Sequence, residues 1–302
     1  MFGFMKNHCC CANFIKDGVI HMKKSKKFLL FTLISATALI AAACGNEDSN
    51  SSASASESGE QNSWERIEES GKLVVGTEGL YFPVTYFDET TKELTGFDVE
   101  VVRAIGDKLG LEVEFKTMEF DGLLPALRNG QIDIAANDFS ITEERLEKFD
   151  FTVPVKHSYG SAIVRENDDS GITTVDDLAG KKVGGAATSN YSDYAKEQGA
   201  EVVVYTGSDT VLPEIVQGRV DATLNDYLVL IQALEQFDKP GLKLAENVKF
   251  SPNSSGLVMQ KDSPELKEQL DAALTELIED GTVTEISLEF LGADVTKPVE
   301  VE

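Results

Sequence analysis

Basic residues are scarce in this 302-residue chain, in which 27 lysines and arginines stand against 52 aspartates and glutamates for a formal charge of −25. A surface of that sign repels nucleic-acid phosphates and anionic headgroups, and no basic patch reverses it locally, so no nucleic-acid partner is expected. Cysteine is nearly missing. The four present are Cys9, Cys10, Cys11 and Cys44, so the long remainder can build neither an internal disulfide nor a thiol nucleophile. Of three histidines His157 alone lies beyond residue 21, which rules out a histidine-rich metal site. Neither a Walker-type phosphate loop nor a G-x-S-x-G elbow is present, and among so many acids no carboxylate pair stands out. These absences point to a protein without cofactor or metal that is not an enzyme.

Long apolar runs are also few. The run from Phe28 to Ala43 is shorter than the roughly 20 residues a membrane-spanning helix needs. It follows Lys23, Lys24, Lys26 and Lys27 and leads into Cys44, the order of a secretory signal: basic region, apolar core, small-residue cleavage zone. Its end, "LIAAAC", resembles a bacterial lipoprotein signal, in which cleavage precedes Cys44 and the thiol receives diacylglycerol. Ala41 stands where such signals more often have leucine, and an ordinary signal peptide with a stray cysteine is the alternative. Met22 opens the signal in the usual way, so residues 1–21, with their CCC run, read as a leader ahead of the true start; a metal or lipid site at the CCC is the other reading.

Without residues 1–43 the chain keeps 21 basic and 51 acidic residues, a net of −30. The stretch "GNEDSNSSASASESGEQNS", Gly45 to Ser63, has too little apolar surface to order itself and reads as a tether. The expected product is extracytoplasmic, anchored to the cell membrane through Cys44, with a globular part large enough for one domain or two lobes.

That part alternates short β-branched runs with helical ones, the pattern of helices packed on mostly parallel sheets. Strands are expected at 72–76, 111–116, 132–136, 181–185, 201–205 and 220–224, and helices at 97–110, 122–129, 190–198, 209–217, 227–237, 264–280 and 282–291. One phrase occurs twice. "GQIDIAAND", Gly130 to Asp138, returns 88 positions later as "GRVDATLND", Gly218 to Asp226. Each copy follows a helix, turns at a glycine suited to a left-handed helix end, and becomes a strand with Asn-Asp at its carboxyl end, where open α/β sheets bind ligands. Asp133 and Asp221 are expected only to hydrogen-bond where the strands begin. Two such units suggest facing lobes, with the chain crossing at Gly160–Val164 and returning at Ser255–Gln260, and a ligand held between the hinged halves.

The stretches "KLVVGTEGLYFPVTYFD", "LTGFDVEVVRAIGDKLG", "FDGLLPALRNGQIDIAANDFSITEERLEKFDFTVP", "DLAGKKVGG" and "DGTVTEISLEFLG" resemble, in order from Trp64 to Leu291, the solute-binding proteins of polar amino-acid ABC transporters, of the bacterial family 3 type. The "GTEG" and "SNY" pieces are similar to the cystine-binding branch. The resemblance implies an α/β, two-lobed periplasmic-binding-protein-like fold of type II, two mostly parallel sheets flanked by helices and joined by a two-strand hinge. Lobe 1 would comprise residues 64–161 and 255–302, and lobe 2 residues 162–254. It further implies a monomer that takes a polar amino acid and delivers it to the transmembrane subunit of an ABC permease.

A free amino acid presents a carboxylate and an ammonium, so its site needs a planar donor fork, further N–H donors and a carboxylate. The family's carboxylate-gripping arginine matches Arg145, which taken alone would read as an exposed helix charge. Ser140 matches its hydroxyl donor. From the second lobe, Ser189 matches a hydroxyl at a helix start, with the Asn190 N–H beside it and Thr188 as a substitute; a plain N-cap is the other role of Ser189. Asp226 matches the aspartate that receives the ligand ammonium. Each charge-assisted hydrogen bond contributes roughly 1.5–3 kcal/mol, so three or four suffice for the roughly 8 kcal/mol of a micromolar ligand. Tyr81 and Phe120 match apolar walls, although isolated aromatics more often pack cores. Glu78 matches a specificity position. Asp138 departs from the family, where the residue is usually small or neutral, and reads either as a solvated or capping aspartate or, with Glu78, as a selector for a ligand with a second positive charge. Cystine, lysine, arginine and ornithine all qualify. Two other classes share this scaffold: a periplasmic cyclohexadienyl or arogenate dehydratase, and the sensing half of a signalling receptor.

Overall fold

A computed structural model describes residues 62–245 and 247–299. The signal, leader, Cys44 and nearly all of the tether therefore lie outside the described residues. The elements run α1 (Ser63–Ser70), β1 (Lys72–Thr77), β2 (Leu80–Tyr81), β3 (Thr85–Phe87), β4 (Leu94–Thr95), α2 (Phe97–Leu109), β5 (Glu112–Thr117), α3 (Phe120–Arg128), β6 (Ile134–Ala135), α4 (Glu143–Lys148), β7 (Phe149–Phe151), β8 (Lys156–Arg165), β9 (Lys182–Gly185), α5 (Asn190–Glu197), β10 (Glu201–Val204), α6 (Ser208–Val216), β11 (Ala222–Asp226), α7 (Tyr227–Gln236), β12 (Leu242–Leu244), β13 (Phe250–Ser255), β14 (Val258–Gln260), α8 (Pro264–Glu279) and α9 (Thr282–Leu291).

Two sheets carry the fold. The first has the order β5-β1-β6-β14-β7, and the second β10-β9-β11-β8-β12 with β13 also on β8. Within each, the strands of the βα units run parallel, while the strands next to the crossing, β14 in one and β8 in the other, are antiparallel to their neighbours. The two-residue alternation of strand side chains supplies each sheet with two cores. On β1, Leu73 and Val75 pack with Phe97, Val101 and Ile105 of α2 and Leu270 and Leu274 of α8, whereas Val74 faces Leu123 and Leu127 of α3. On β8, Ala162 and Val164 pack with Tyr191 and Phe250, and Ile163 with Val211, Ile215 and Leu230.

The chain changes sheets between β7 and β8, at residues 152–155, and returns between β13 and β14, at residues 256–257. The crossing segments pair with each other: Thr152 N–H donates to Leu257 O (3.0 Å), Leu257 N–H to Thr152 Oγ1 (3.1 Å) and Val155 N–H to Ser255 O (2.9 Å). Gly160–Val164, expected as the crossing, instead lies inside β8, paired with Asp226 to Ala222 of β11. That run is extended and apolar because both faces of its strand are buried, the reading that a linker imitates in sequence. The short meander β2-β3-β4 and the six-residue α4 carry too little pattern to be read from sequence.

The twice-written phrase is repeated in three dimensions. Gly130 and Gly218 have φ of 67° and 70° and end α3 and α6, each of which carries an internal proline, Pro125 or Pro213. The glycine N–H groups reach Leu127 O and Ile215 O, both at 3.0 Å. Asp133 Oδ2 accepts from Val74 N–H (2.8 Å) and its Oδ1 from Arg66 Nη2 (2.7 Å), while Asp221 Oδ2 accepts from Lys182 N–H (2.9 Å) and its Oδ1 from Arg165 Nη2 (3.2 Å). In both copies the aspartate ties the start of one strand to the neighbouring strand.

Candidate functional site

Four strands of the two sheets, β1, β6, β9 and β11, direct their carboxyl ends at a cavity of about 70 Å³. Glu78 and Tyr81 reach it from the β1–β2 segment, Phe120 from the start of α3, Asn137 and Asp138 from beyond β6, Ser189 and Asn190 from the start of α5, and Asn225 from β11. The Phe120 ring stacks on Phe139 at 5.0 Å. The Tyr81 hydroxyl donates to Asn225 Oδ1 at 2.8 Å, joining the first lobe to the second across the cavity wall, and burial raises its pKa well above the ordinary tyrosine value. Six sequence-predicted residues therefore meet at one cavity: Glu78, Tyr81, Phe120, Asp138, Ser189 and Asn190.

The two Asn-Asp endings differ. Asn137 Oδ1 accepts from Glu78 N–H (2.8 Å) and from the Thr77 hydroxyl (3.3 Å), so it fixes the chain beyond β1. Asn225 Oδ1 accepts from Tyr81 and from Asp226 N–H (2.8 Å). Asp226 is fully buried and caps α7, its Oδ1 accepting from Leu228 N–H (3.0 Å) and Val229 N–H (3.3 Å). Asp138 sits in the left-handed region at φ 53°, held there by its own N–H donating to Asp98 Oδ2 at 2.6 Å.

Lys156 connects them. This residue is 1% exposed, and its Nζ lies 2.8 Å from Asp138 Oδ2 and 2.8 Å from Asp226 Oδ2. Burial alone would lower its ammonium, but the two carboxylates outweigh that and raise it above the usual lysine value. Burial pushes Asp138 up and Lys156 pulls it down, and with the Asp226 charge added the net direction is upward. Asp98 is pushed up to about 7, first by burial and then by the Asp138 charge, against the Asp138 N–H bond and Lys156; its Oδ1 is buried with no hydrogen-bond partner. Asp138 is thus neither solvated nor a helix cap, and it borders the cavity with its Oδ2 paired to Lys156. Asp226, the expected ammonium receiver, likewise holds an ammonium of the protein itself and is not among the cavity-lining residues.

Arg145 is buried rather than an exposed helix charge. Its Nη1 donates to Ser140 O (3.0 Å) and its Nη2 to Thr188 O (3.4 Å), while the guanidinium lies over the Phe139 ring at 5.2 Å. Burial draws its pKa down from the arginine value, yet a guanidinium stays charged. Arg145 and Thr188 line a second recess beside the cavity, and Ser140 a third. Ser189 is the N-cap of α5, its Oγ accepting from Tyr191 N–H at 3.2 Å. Asp121, unmarked by sequence, grips the loop before α5 from the other lobe through Thr188 N–H (3.0 Å), Thr188 Oγ1 (2.7 Å) and Ala187 N–H (3.3 Å). Lys156 was equally missed. Its only sequence signal is a lone charge in "VPVKHSYGSAIV", a run otherwise fit for a buried strand. Among the described residues no group of three or more His, Cys, Asp or Glu side chains could hold a metal, and no helix is long and apolar enough to cross a membrane.

The family model described as bacterial extracellular solute-binding proteins, family 3, matches residues 73–293. The probable ABC transporter extracellular-binding protein YckB of Bacillus subtilis is 41% identical over 91% of this chain and 96% of its own length. The L-cystine-binding protein TcyA of the same organism is 37% identical over 91% of this chain and 100% of its own. Among solved structures, the amino-acid ABC transporter substrate-binding protein AbpA of Streptococcus pneumoniae, bound to L-arginine, is 31% identical, covers 77% of this chain and 100% of its own, and superposes with a TM-score of 0.70.

Proposed function

Because the chain belongs to the bacterial extracellular solute-binding proteins, family 3, and its relatives are transport receptors rather than enzymes, we propose that it captures L-cystine between its lobes for an ABC permease. The observation that carries this reading is the cavity walled by both lobes, with Tyr81 hydrogen-bonded across it. In this reading Arg145, Ser140, Ser189 and the Asn190 N–H take a ligand carboxylate, Thr188 supports them through Arg145, Tyr81 and Phe120 hold the stem, and Glu78 faces an ammonium. Contacts drawn from both lobes exist together only when the lobes close, which is how binding energy selects the closed state. The similarity to TcyA favours cystine over the cationic amino acids, for which the acidic Glu78 in the cavity wall is the argument. We place the protein outside the cytoplasm, held to the membrane by lipidated Cys44; a Cys44→Ala variant is expected to be released from the membrane fraction.

A thermal-shift screen with free amino acids tests the ligand. L-cystine at a hundred times its dissociation constant is expected to stabilise the protein by about 2.7 kcal/mol. Arg145→Ala is expected to abolish amino-acid binding while leaving the fold intact. Unchanged affinity in calorimetry would overturn the assignment.

A further inference from the structure

Asp121 stands in the first turn of α3, in the first lobe, where an aspartate ordinarily does no more than favour a helix start. Here both of its oxygens are turned to the second lobe. Oδ1 accepts from Thr188 N–H (3.0 Å) and from the Thr188 hydroxyl (2.7 Å), and Oδ2 accepts from Ala187 N–H (3.3 Å). From the first lobe as well, Arg145 Nη2 donates to Thr188 O at 3.4 Å. The segment between β9 and α5 is thus gripped at two successive N–H groups and at a carbonyl by two side chains of the opposite lobe. Neither Asp121 nor Thr188 borders the ligand cavity, whereas their chain neighbours Phe120 and Ser189 do. The chain joins the two sides through the crossings at 152–155 and 256–257, so these bonds exist only while the lobes are together.

We propose that Asp121 is a positioning residue that latches the closed lobes. It holds the Ala187–Thr188 segment, and with it the Ser189 cap that starts α5, against the cavity, and so slows ligand escape without touching the ligand. The proposal rests on the amino-acid-receptor reading and deepens it, because it ascribes the lifetime of the complex to a bond between lobes. Such a latch forms after a ligand has entered, so its loss is felt in dissociation rather than in association.

The test is stopped-flow binding of L-cystine to wild type, Asp121→Ala, Asp121→Asn and Thr188→Val. Asp121→Ala is expected to raise the dissociation rate about tenfold, since charge-assisted bonds are lost from a water-accessible place, and to leave the association rate and the ligand-free melting temperature unchanged. Asp121→Asn keeps an oxygen for Thr188 and is expected to restore most of the lifetime. Thr188→Val removes one bond of the three and is expected to raise dissociation about threefold. Combined with Asp121→Ala it should add nothing further, because its partner is already gone. A dissociation rate unchanged in Asp121→Ala, or a ligand-free melting temperature that falls in step with affinity, would overturn the proposal and leave Asp121 a helix-start residue alone. Additive losses in the double variant would overturn it too. Failure of the wild type to bind L-cystine would overturn the cystine reading and the latch with it, and would show before any substitution is made.

Discussion

The segments 130–138 and 218–226 share one backbone solution and diverge in what their identical Asn-Asp endings contact. From glycine to mid-strand they superimpose in logic: a positive φ near 70°, the same helix-ending hydrogen bonds, an aspartate bound to the adjacent strand and to an arginine. The arginines come from unrelated places, Arg66 on α1 and Arg165 at the end of β8, so the chemistry is reproduced without the surrounding elements. At the endings, Asp226 caps a helix while Asp138 is held left-handed by Asp98, and only Lys156 treats them alike. The same Asn-Asp tip is thus set in two different surroundings, Asp138 bordering the cavity and Asp226 buried as a helix cap.

The comparison can be broken most severely at those tips. Asp226→Ala and Asp138→Ala each remove one partner of a buried ion pair, and chemical denaturation is expected to give losses of about 3–5 kcal/mol. Asp226→Ala should be the worse by about 1 kcal/mol because it also uncaps α7; equal losses would mean that the cap contributes nothing. Next come Asp133→Ala and Asp221→Ala, each expected to cost about 1–3 kcal/mol from unpaired strand N–H groups and arginines. The Asp133 carboxylate is 2% exposed against 27% for Asp221, so the first copy should lose more.

The pH dependence isolates what the first copy alone has. Asp98, with a folded pKa pushed up to about 7 from a carboxylate value of 3.8, binds more protons folded than unfolded between those values. Its contribution is present in full below the unfolded pKa and is lost as pH rises through the folded one, with a slope of at most about 1.4 kcal/mol per pH unit. Asp98→Asn keeps an oxygen for the Asp138 N–H and is expected to flatten the decline in stability between pH 5 and 7, measured by denaturant titration at each pH. The smallest effect, about 1 kcal/mol each, is expected for Gly130→Ala and Gly218→Ala, which strain a left-handed backbone without a clash, an added Cβ lying 3.8 Å from Gln260 Nε2 in the first and in open space in the second. Matching melting shifts would show that the two turns are equivalent; unequal ones would locate the asymmetry earlier than the tips.

Much of the frame was legible because it is written in local pattern. The glycine ends, the helical spacing of α2 and α8, the proline opening α8 and the β-branched runs all act over a few residues. The phrase repeated at a separation of 88 disclosed the pairing of βα units before any coordinates. What stayed hidden depends on distance in the chain. Lys156 lies 18 residues from Asp138 and 70 from Asp226, so nothing local announces that three charges will share one buried place. Arg145 and Asp121 were distinguishable from ordinary surface charges only by motif or by structure. The crossing was misplaced because a strand buried on both faces and an apolar linker share one composition, and pairing decides between them.

Consider finally β14. This three-residue strand, from residues 258–260, lies between β6 and β7 in the first sheet, so a central position of that sheet is supplied from near the far end of the chain. As the polypeptide emerges, residues 72–151 wait with the edges of Ile134–Ala135 and Phe149–Phe151 unpaired, while residues 156–255 already contain all six strands of the second sheet. The inserted lobe can thus finish folding before its host. Truncation before residue 258 would spare the younger unit and leave the older one with open edges, the state in which chains pair with one another instead of with themselves.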